Sequence, residues 1–145
     1  MLPSFTQSGD LPPGIHRANW PEIEERFGTG TDRRQHAFAK LRYLHGLASR
    51  TGYLARFLIF GSFVSAVEEP RDVDVVLVMA EDFRVEAIPR EAQTLFSHAD
   101  ADARFGASVF WLRDGMLPEQ LAQMFFDTWQ LKRNGQRRGI VEVIS

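Results

Sequence analysis

The chain has 145 residues, of which 44% are hydrophobic and 25% are charged, with a net charge of −2 and no cysteine. Such a composition is typical of a globular protein, and the length suffices for one sizeable core, so we expect a single domain over residues 1–145. The absence of cysteine excludes disulfides, thiolate catalysis and thiolate-bound zinc. The slightly negative charge argues against broad, non-specific binding to nucleic acid.

Neither a signal peptide nor a membrane span is predicted. The N-terminus lacks a basic region followed by an apolar stretch, and no uncharged apolar run approaches roughly 18 residues. We therefore expect a cytoplasmic protein that does not interact with membranes.

The first third of the chain is predicted to be an arm followed by two helices. Residues 1–19 hold three prolines and are expected to form an extended arm. A short helix is predicted over residues 21–27, because proline suits a first helical position and a glycine follows. Thr31 or Asp32 caps a longer predicted helix that runs to about residue 50. Apolar residues at helical spacing predict its buried stripe, namely Ala37, Leu41, Leu44 and Ala48.

The rest of the chain mixes strands and helices. Alternating or continuous apolar runs predict strands over residues 54–60, 73–79, 106–112 and 140–144. Residues 81–97 are expected to be mostly helical with a break at Pro89, and residues 118–129 form a further predicted helix. Its buried face is predicted to hold Leu121, Phe125 and Trp129. This pattern predicts an α/β (α+β) fold, with a mixed β-sheet of about four to five strands covered by helices.

Two of the predicted strands carry residues suited to phosphate and metal chemistry. The strand over 54–60 runs into Gly61-Ser62, and the next strand carries Asp72 and Asp74 at its start. Residues i and i+2 of a strand project to the same face, so the two carboxylates point together. Paired acids resist burial unless a cation accompanies them, and Mg²⁺ commonly takes one or two carboxylates together with substrate phosphates. Because a phosphate can closely approach a glycine backbone, the pattern indicates metal-assisted chemistry on a nucleoside triphosphate.

Each half of this pattern also has a simpler explanation. An acid pair alone fits a half-exposed strand, and Gly-Ser alone fits a tight turn capped by serine. Their joint occurrence at neighbouring strands favours the metal site. For the basic segment 132–138 the simpler explanation is preferred, because Asn134-Gly135 is a strong turn signal and predicts a solvated hairpin loop.

Gly61-Ser62 followed by Asp72-Val73-Asp74 resembles the signature of the DNA polymerase β-like nucleotidyltransferase superfamily. Residues 11–16 with Trp20, and residues 138–141, are similar to small stand-alone bacterial members of that superfamily. The resemblance implies that Gly61 and Ser62 hold the triphosphate, and that Asp72 and Asp74 are catalytic and hold two Mg²⁺ or Mn²⁺ ions. The implied activity transfers a nucleoside monophosphate from ATP or another triphosphate to a hydroxyl of a protein, an RNA or a small molecule.

The sequence departs from the superfamily pattern at one position. Active members carry a third carboxylate on a later strand, whereas the strand predicted over 106–112 contains no acid and has Ser108 about where that carboxylate is expected. The departure supports an alternative, a catalytically degenerate nucleotidyltransferase-fold domain that binds a nucleotide or a protein partner. The resemblance also implies a toxin–antitoxin or defence pair. In a third hypothesis, the partner in such a pair supplies the missing groups and docks on the proline-containing residues 1–19.

Overall fold

One mixed β-sheet forms the centre of the protein. The computed structural model describes residues 1–144, and within them the strands are β1 (Ile15–Ala18), β2 (Leu54–Phe60), β3 (Val73–Met79), β4 (Ala107–Arg113) and β5 (Ile140–Val143). Their order across the sheet is β1-β5-β2-β3-β4. β2 is antiparallel to both of its neighbours, whereas β1 is parallel to β5 and β4 is parallel to β3. The mixed α/β sheet predicted from the sequence is confirmed.

Helices connect and cover these strands. The α-helices of the same residues are α1 (Trp20–Phe27), α2 (Asp32–Arg50), α3 (Arg90–Gln93), α4 (His98–Phe105) and α5 (Glu119–Thr128). Local capping fixes the first two helices, because Asn19 accepts the Glu22 N–H at 3.0 Å and Thr31 accepts the Arg34 N–H at 3.2 Å. Within residues 1–144, no helix combines the length and the apolar character that a membrane span requires.

The two faces of the sheet form two apolar clusters, because successive strand residues point to opposite sides. One cluster joins Phe57 and Ile59 of β2 and the odd-numbered residues of β3 to α1 and α2, with Phe57, Val75 and Leu77 almost fully buried. The other joins Leu58 and Val76 to α5. The predicted stripe of α2 is confirmed, since all four of its residues are buried.

Two predicted segments differ from the structure. The arm over residues 1–19 contains the edge strand β1, which was not predicted, because its partner β5 comes from the other end of the chain. Residues 81–97 form short helical turns around Pro89, and the longer helix α4 begins only after Ser97. The Ser97 hydroxyl caps that helix by accepting the Asp100 N–H at 3.4 Å.

The predicted buried face of α5 is also partly wrong. Leu121 is 48% exposed, whereas Phe126 is only 8% exposed. Phe125 and Trp129 are half-buried and pack against the second apolar cluster, as predicted. The helix therefore turns residues 125, 126 and 129 toward the sheet and leaves its first turns facing solvent.

Candidate functional site

The four residues of the sequence signature meet at one end of the sheet. β2 and β3 are antiparallel, so the last residue of β2, Phe60, lies opposite Asp74 at the start of β3. Gly61, Ser62, Asp72 and Asp74 line one open cleft of about 720 Å³. The structure therefore brings together residues that the resemblance assigns to triphosphate and metal binding.

Both acids of the pair face this cleft. Asp72 immediately precedes β3 and is exposed, whereas Asp74 is half-buried. The neighbouring residues Val73 and Val75 are buried in the opposite cluster, against the helices. Strand alternation thus separates the carboxylates from the apolar core, as the i, i+2 spacing predicts.

Gly61 allows the backbone to pass directly beside the Asp74 carboxylate. Its φ of 81° and ψ of −162° lie in a region that is essentially reserved for glycine. A Cβ at this position would also collide with the Oδ2 atom of Asp74. Glycine is needed here both for the backbone conformation and for the close approach.

Hydrogen bonds hold the loop between Gly61 and the acid pair. The Ser62 hydroxyl accepts the Arg71 N–H at 3.3 Å, which ties the start of the loop to its end. The Ser65 hydroxyl donates to the Ser62 carbonyl at 2.7 Å and accepts the Val67 N–H at 3.2 Å. These bonds keep the glycine–serine turn beside the acids.

The buried Arg34 of α2 fastens the same loop to the core. Its guanidinium donates to the carbonyl oxygens of Phe63 at 2.9 Å and Ser65 at 2.7 Å, and also to those of Phe27 and Val67. The role of Arg34 was not predicted. A signal was present, however, because Arg34 falls in helical register with the apolar stripe that begins at Ala37.

The surroundings of Asp74 disfavour its ionised form. Burial is the main cause that raises the pKa of Asp74 to about 6; the negative charge of Asp72 acts in the same direction, whereas the hydrogen bond from the Ser108 hydroxyl and the Arg138 charge partly offset them. A cation placed between the two carboxylates would reverse this balance. Without a cation, the ionised acid pair is therefore electrostatically unfavourable.

A basic loop, residues 132–138, also lines the cleft. Lys132, Arg133 and Arg138 line it together with Arg71. The predicted turn is present, because Leu131 and Arg137 form a β-bridge that closes the loop. The prediction of a merely solvated hairpin is incomplete, since three of the basic side chains face the cleft that holds the acids.

A family model described as a family of unknown function, DUF6932, matches residues 3–144. The chain belongs to the DUF6932 family. No match was found among curated proteins, and none among solved structures. The matched range includes every residue that lines the cleft.

In the DUF6932 chain two carboxylates, those of Asp72 and Asp74, line the cleft, and the part of the chain that the structure describes adds no third. β4 is parallel to β3 and places Ser108 directly opposite Asp74, so the predicted neighbour of the acid pair is a serine. Glu142 instead forms an ion pair with Arg56 at 2.8 Å. Among residues 1–144, no group of three or more His, Cys, Asp or Glu side chains is placed to hold a metal.

The residues present nevertheless fit a hydrated divalent cation that also binds phosphate. Mg²⁺ in nucleotide sites commonly takes only one or two carboxylates and completes its shell with water and phosphate oxygens. Asp72 and Asp74 would be its protein ligands, and the open cleft leaves room for the remaining oxygens.

Three aromatic side chains, those of Phe60, Phe110 and Trp129, pack together beside this polar region of the DUF6932 protein. The Trp129 ring packs at a tilt against Phe60 and Phe110, with ring centroids 4.7 Å and 4.5 Å away. Phe60 and Trp129 also line the cleft. Trp129 Nε1 is buried without a hydrogen-bond partner among residues 1–144. These aromatic side chains connect the cleft that holds the acid pair to the apolar cluster packed against α5.

Proposed function

We propose that this DUF6932 protein is a metal-dependent nucleotidyltransferase related to the DNA polymerase β-like superfamily. It transfers a nucleoside monophosphate from ATP or another triphosphate to a hydroxyl of a protein, an RNA or a small molecule. The observation that supports this proposal is that the glycine–serine turn and the acid pair share one cleft, with Asp74 in contact with Gly61. We place the activity in the cytoplasm.

The residues of the cleft have complementary roles in this proposal. Asp72 and Asp74 would hold Mg²⁺ or Mn²⁺, which would supply positive charge to neutralise the triphosphate and the departing pyrophosphate. The Ser62 hydroxyl and the backbone beside Gly61 orient the phosphates. The acceptor oxygen bonds to the α-phosphorus as the bond to pyrophosphate breaks, and the hydroxyl proton passes to water. Fixing the reacting groups in line supplies much of the acceleration.

A second candidate is a catalytically degenerate domain that binds a nucleotide or a protein partner. Ser108 supports it, because the resemblance implies a carboxylate near that position. In this case the protein acts as a binding module, and a toxin–antitoxin or defence partner is the proposed context.

Calorimetry with each of the four ribonucleoside triphosphates tests the shared first step. We expect binding in the presence of Mg²⁺ or Mn²⁺ and much weaker binding without it, because bare phosphate is repelled by two carboxylates. Asp74→Ala should abolish the metal dependence, whereas Asp102→Ala removes an exposed acid outside the cleft and should bind as the parent does. Equal binding by Asp74→Ala and the parent would show that the acid pair is structural.

Incubation with α-labelled and γ-labelled triphosphate separates the two candidates. A transferase attaches the α label, but not the γ label, to an RNA or to a protein co-purified with the chain, and intact mass reports the added nucleotide. Metal-dependent binding without any transfer would favour the binding module.

A further inference from the structure

We propose that the basic loop binds the β- and γ-phosphates of the nucleotide, so that the cleft prefers triphosphates to monophosphates. This inference rests on the proposed function, since it assigns a part of the same ligand. It adds a binding role for Lys132, Arg133 and Arg138, which the superfamily signature does not include.

The order of strands places this loop on the far side of the glycine–serine turn. The loop leads into β5, the turn follows β2, and the acid pair begins β3, and these three strands are neighbours in that order. Adjacent strands lie about 5 Å apart, so the loop enters the sheet two strand spacings from the acids. In the proposed complex, a chain of phosphates that begins between the acids and the turn extends along the cleft toward the cationic side chains of the loop.

The backbone of the loop is held in place by hydrogen bonds. The Lys132 N–H donates to the Gln136 carbonyl at 2.8 Å, and the Arg138 N–H donates to the Gln130 carbonyl at 2.8 Å. Gln130 itself is 2% exposed, and its side-chain oxygen accepts the Gly14 N–H at 2.6 Å. The basic side chains therefore project from an ordered backbone, so that less conformational entropy of the loop is lost when a ligand binds.

Asp10 of the N-terminal arm orients two of these side chains. Its buried carboxylate lies 2.8 Å from Lys132 Nζ and 3.6 Å from Arg138 Nη1. The backbone of Asp10 also forms a bridge with Ser65, in the loop that follows the glycine–serine turn. The N-terminal arm thus connects the basic loop to the segment that follows the glycine–serine turn.

The charges of the cleft suit a polyanion. Four cationic side chains line it together with two carboxylates, and Asp10 pairs with two of the four, Lys132 and Arg138. Among the ion pairs of residues 1–144, Arg133 takes part in none, so its guanidinium is available to a ligand. Guanidinium groups bind phosphate through paired hydrogen bonds. A metal ion at the acids and the basic loop at the other end would together neutralise a triphosphate.

Arg133 and Arg137 provide a matched pair for the test. Both are exposed residues of the same loop, but only Arg133 lines the cleft, while Arg137 pairs with Asp127 at 3.4 Å. Calorimetry in Mg²⁺ uses ATP, AMP and inorganic tripolyphosphate, which has no base. We expect Arg133→Ala to weaken ATP and tripolyphosphate roughly tenfold, as for loss of a charged hydrogen bond, and to leave AMP unchanged. Arg137→Ala should match the parent for all three ligands.

Lys132→Gln provides a second variant and should reduce the same preference for triphosphate over monophosphate. Equal weakening by Arg133→Ala and Arg137→Ala would overturn the inference, because it would indicate a diffuse charge effect. The proposed function would then still stand if Asp74→Ala loses metal-dependent binding. If the parent binds no triphosphate at all, the proposed function itself fails.

Discussion

The Asp74 carboxylate lies against the Cα of Gly61, in the space that any other residue at position 61 would fill with its Cβ. The two residues belong to neighbouring strand ends, since Gly61 follows β2 and Asp74 is the second residue of β3. This contact joins the phosphate side of the proposed site to its metal side. Its consequences can be measured without knowing the substrate.

Gly61→Ala should destabilise the protein by at least about 2 kcal/mol, because it combines a strained backbone with a displaced carboxylate. Urea denaturation followed by circular dichroism measures the free energy of unfolding. Gly135→Ala is the control, since Gly135 also has a positive φ, of 83°, but nothing lies near its Cβ position. In an Asp74→Ala background the cost of Gly61→Ala should fall, and an unchanged cost would contradict the proposed contact.

The raised pKa of Asp74 predicts a pH dependence of stability. The folded protein binds a proton at Asp74 more tightly than the unfolded chain does, so the contribution of Asp74 to stability falls as pH rises from the ordinary pKa of 3.8 to about 6 and does not change above that. Asp74→Asn should remove this fall and raise the free energy of unfolding at pH 7 by about 1–2 kcal/mol, allowing for solvent screening.

If the acids bind Mg²⁺, its effect on stability should depend on the protonation state of Asp74. Thermal unfolding with and without Mg²⁺ should show stabilisation above pH 6 that disappears at lower pH, where Asp74 is protonated. Asp102→Asn should behave as the parent in both experiments. A parent and an Asp74→Asn variant with parallel pH profiles would be inconsistent with a buried, ionising Asp74.

Arg34→Lys should destabilise the loop that follows Gly61. An ammonium group cannot reproduce the several directed bonds of the guanidinium, so we expect a loss of about 2 kcal/mol or more. Arg33→Lys is the adjacent control, because Arg33 is exposed and, within residues 1–144, its one ion pair is with Glu69 at 3.4 Å; its effect should stay within about 0.5 kcal/mol. Hydrogen exchange should show reduced protection mainly in residues 61–67. A reduction spread evenly over the whole protein would contradict a local role of Arg34 in holding this loop.

Asp10→Asn should destabilise the fold by about 1–3 kcal/mol, because it leaves the half-buried Lys132 and Arg138 without their carboxylate. Asp127→Asn removes a comparable but exposed ion pair, with Arg137, and should cost less than about 0.5 kcal/mol. Denaturant unfolding of both variants gives the comparison. Similar losses of unfolding free energy for the two variants would mean that the ion pairs of Asp10 do not stabilise the fold.

Trp129 should report ligand binding through its fluorescence. Of the three tryptophans, Trp129 lines the cleft, whereas Trp20 packs on Phe38 and His45. Adding Mg²⁺ and ATP should change the emission of the parent and of Trp20→Phe, and the change should be absent from Trp129→Phe. A response that survives in Trp129→Phe would place the ligand elsewhere.

Local patterns in the sequence determined most of the helices and strands, and also the shared face of the two acids in the candidate site. The Thr31 cap and the apolar stripe of α2 predict that helix to within one residue, because helix formation depends on neighbours three or four positions apart. Strand alternation likewise places Asp72 and Asp74 on the face opposite Val73 and Val75. These features need no knowledge of distant residues.

Only the tertiary structure decided which distant segments meet. The pairing of β1 with β5 joins Ile15 to Ile140, and the same closure brings Asp10 to Lys132 and turns the basic loop toward the acids. A periodic pattern specifies which face of a strand is buried, but not which edge of the sheet it joins or which loop lies beside it. The order of strands selects those partners, because it depends on how all the apolar faces are buried at once.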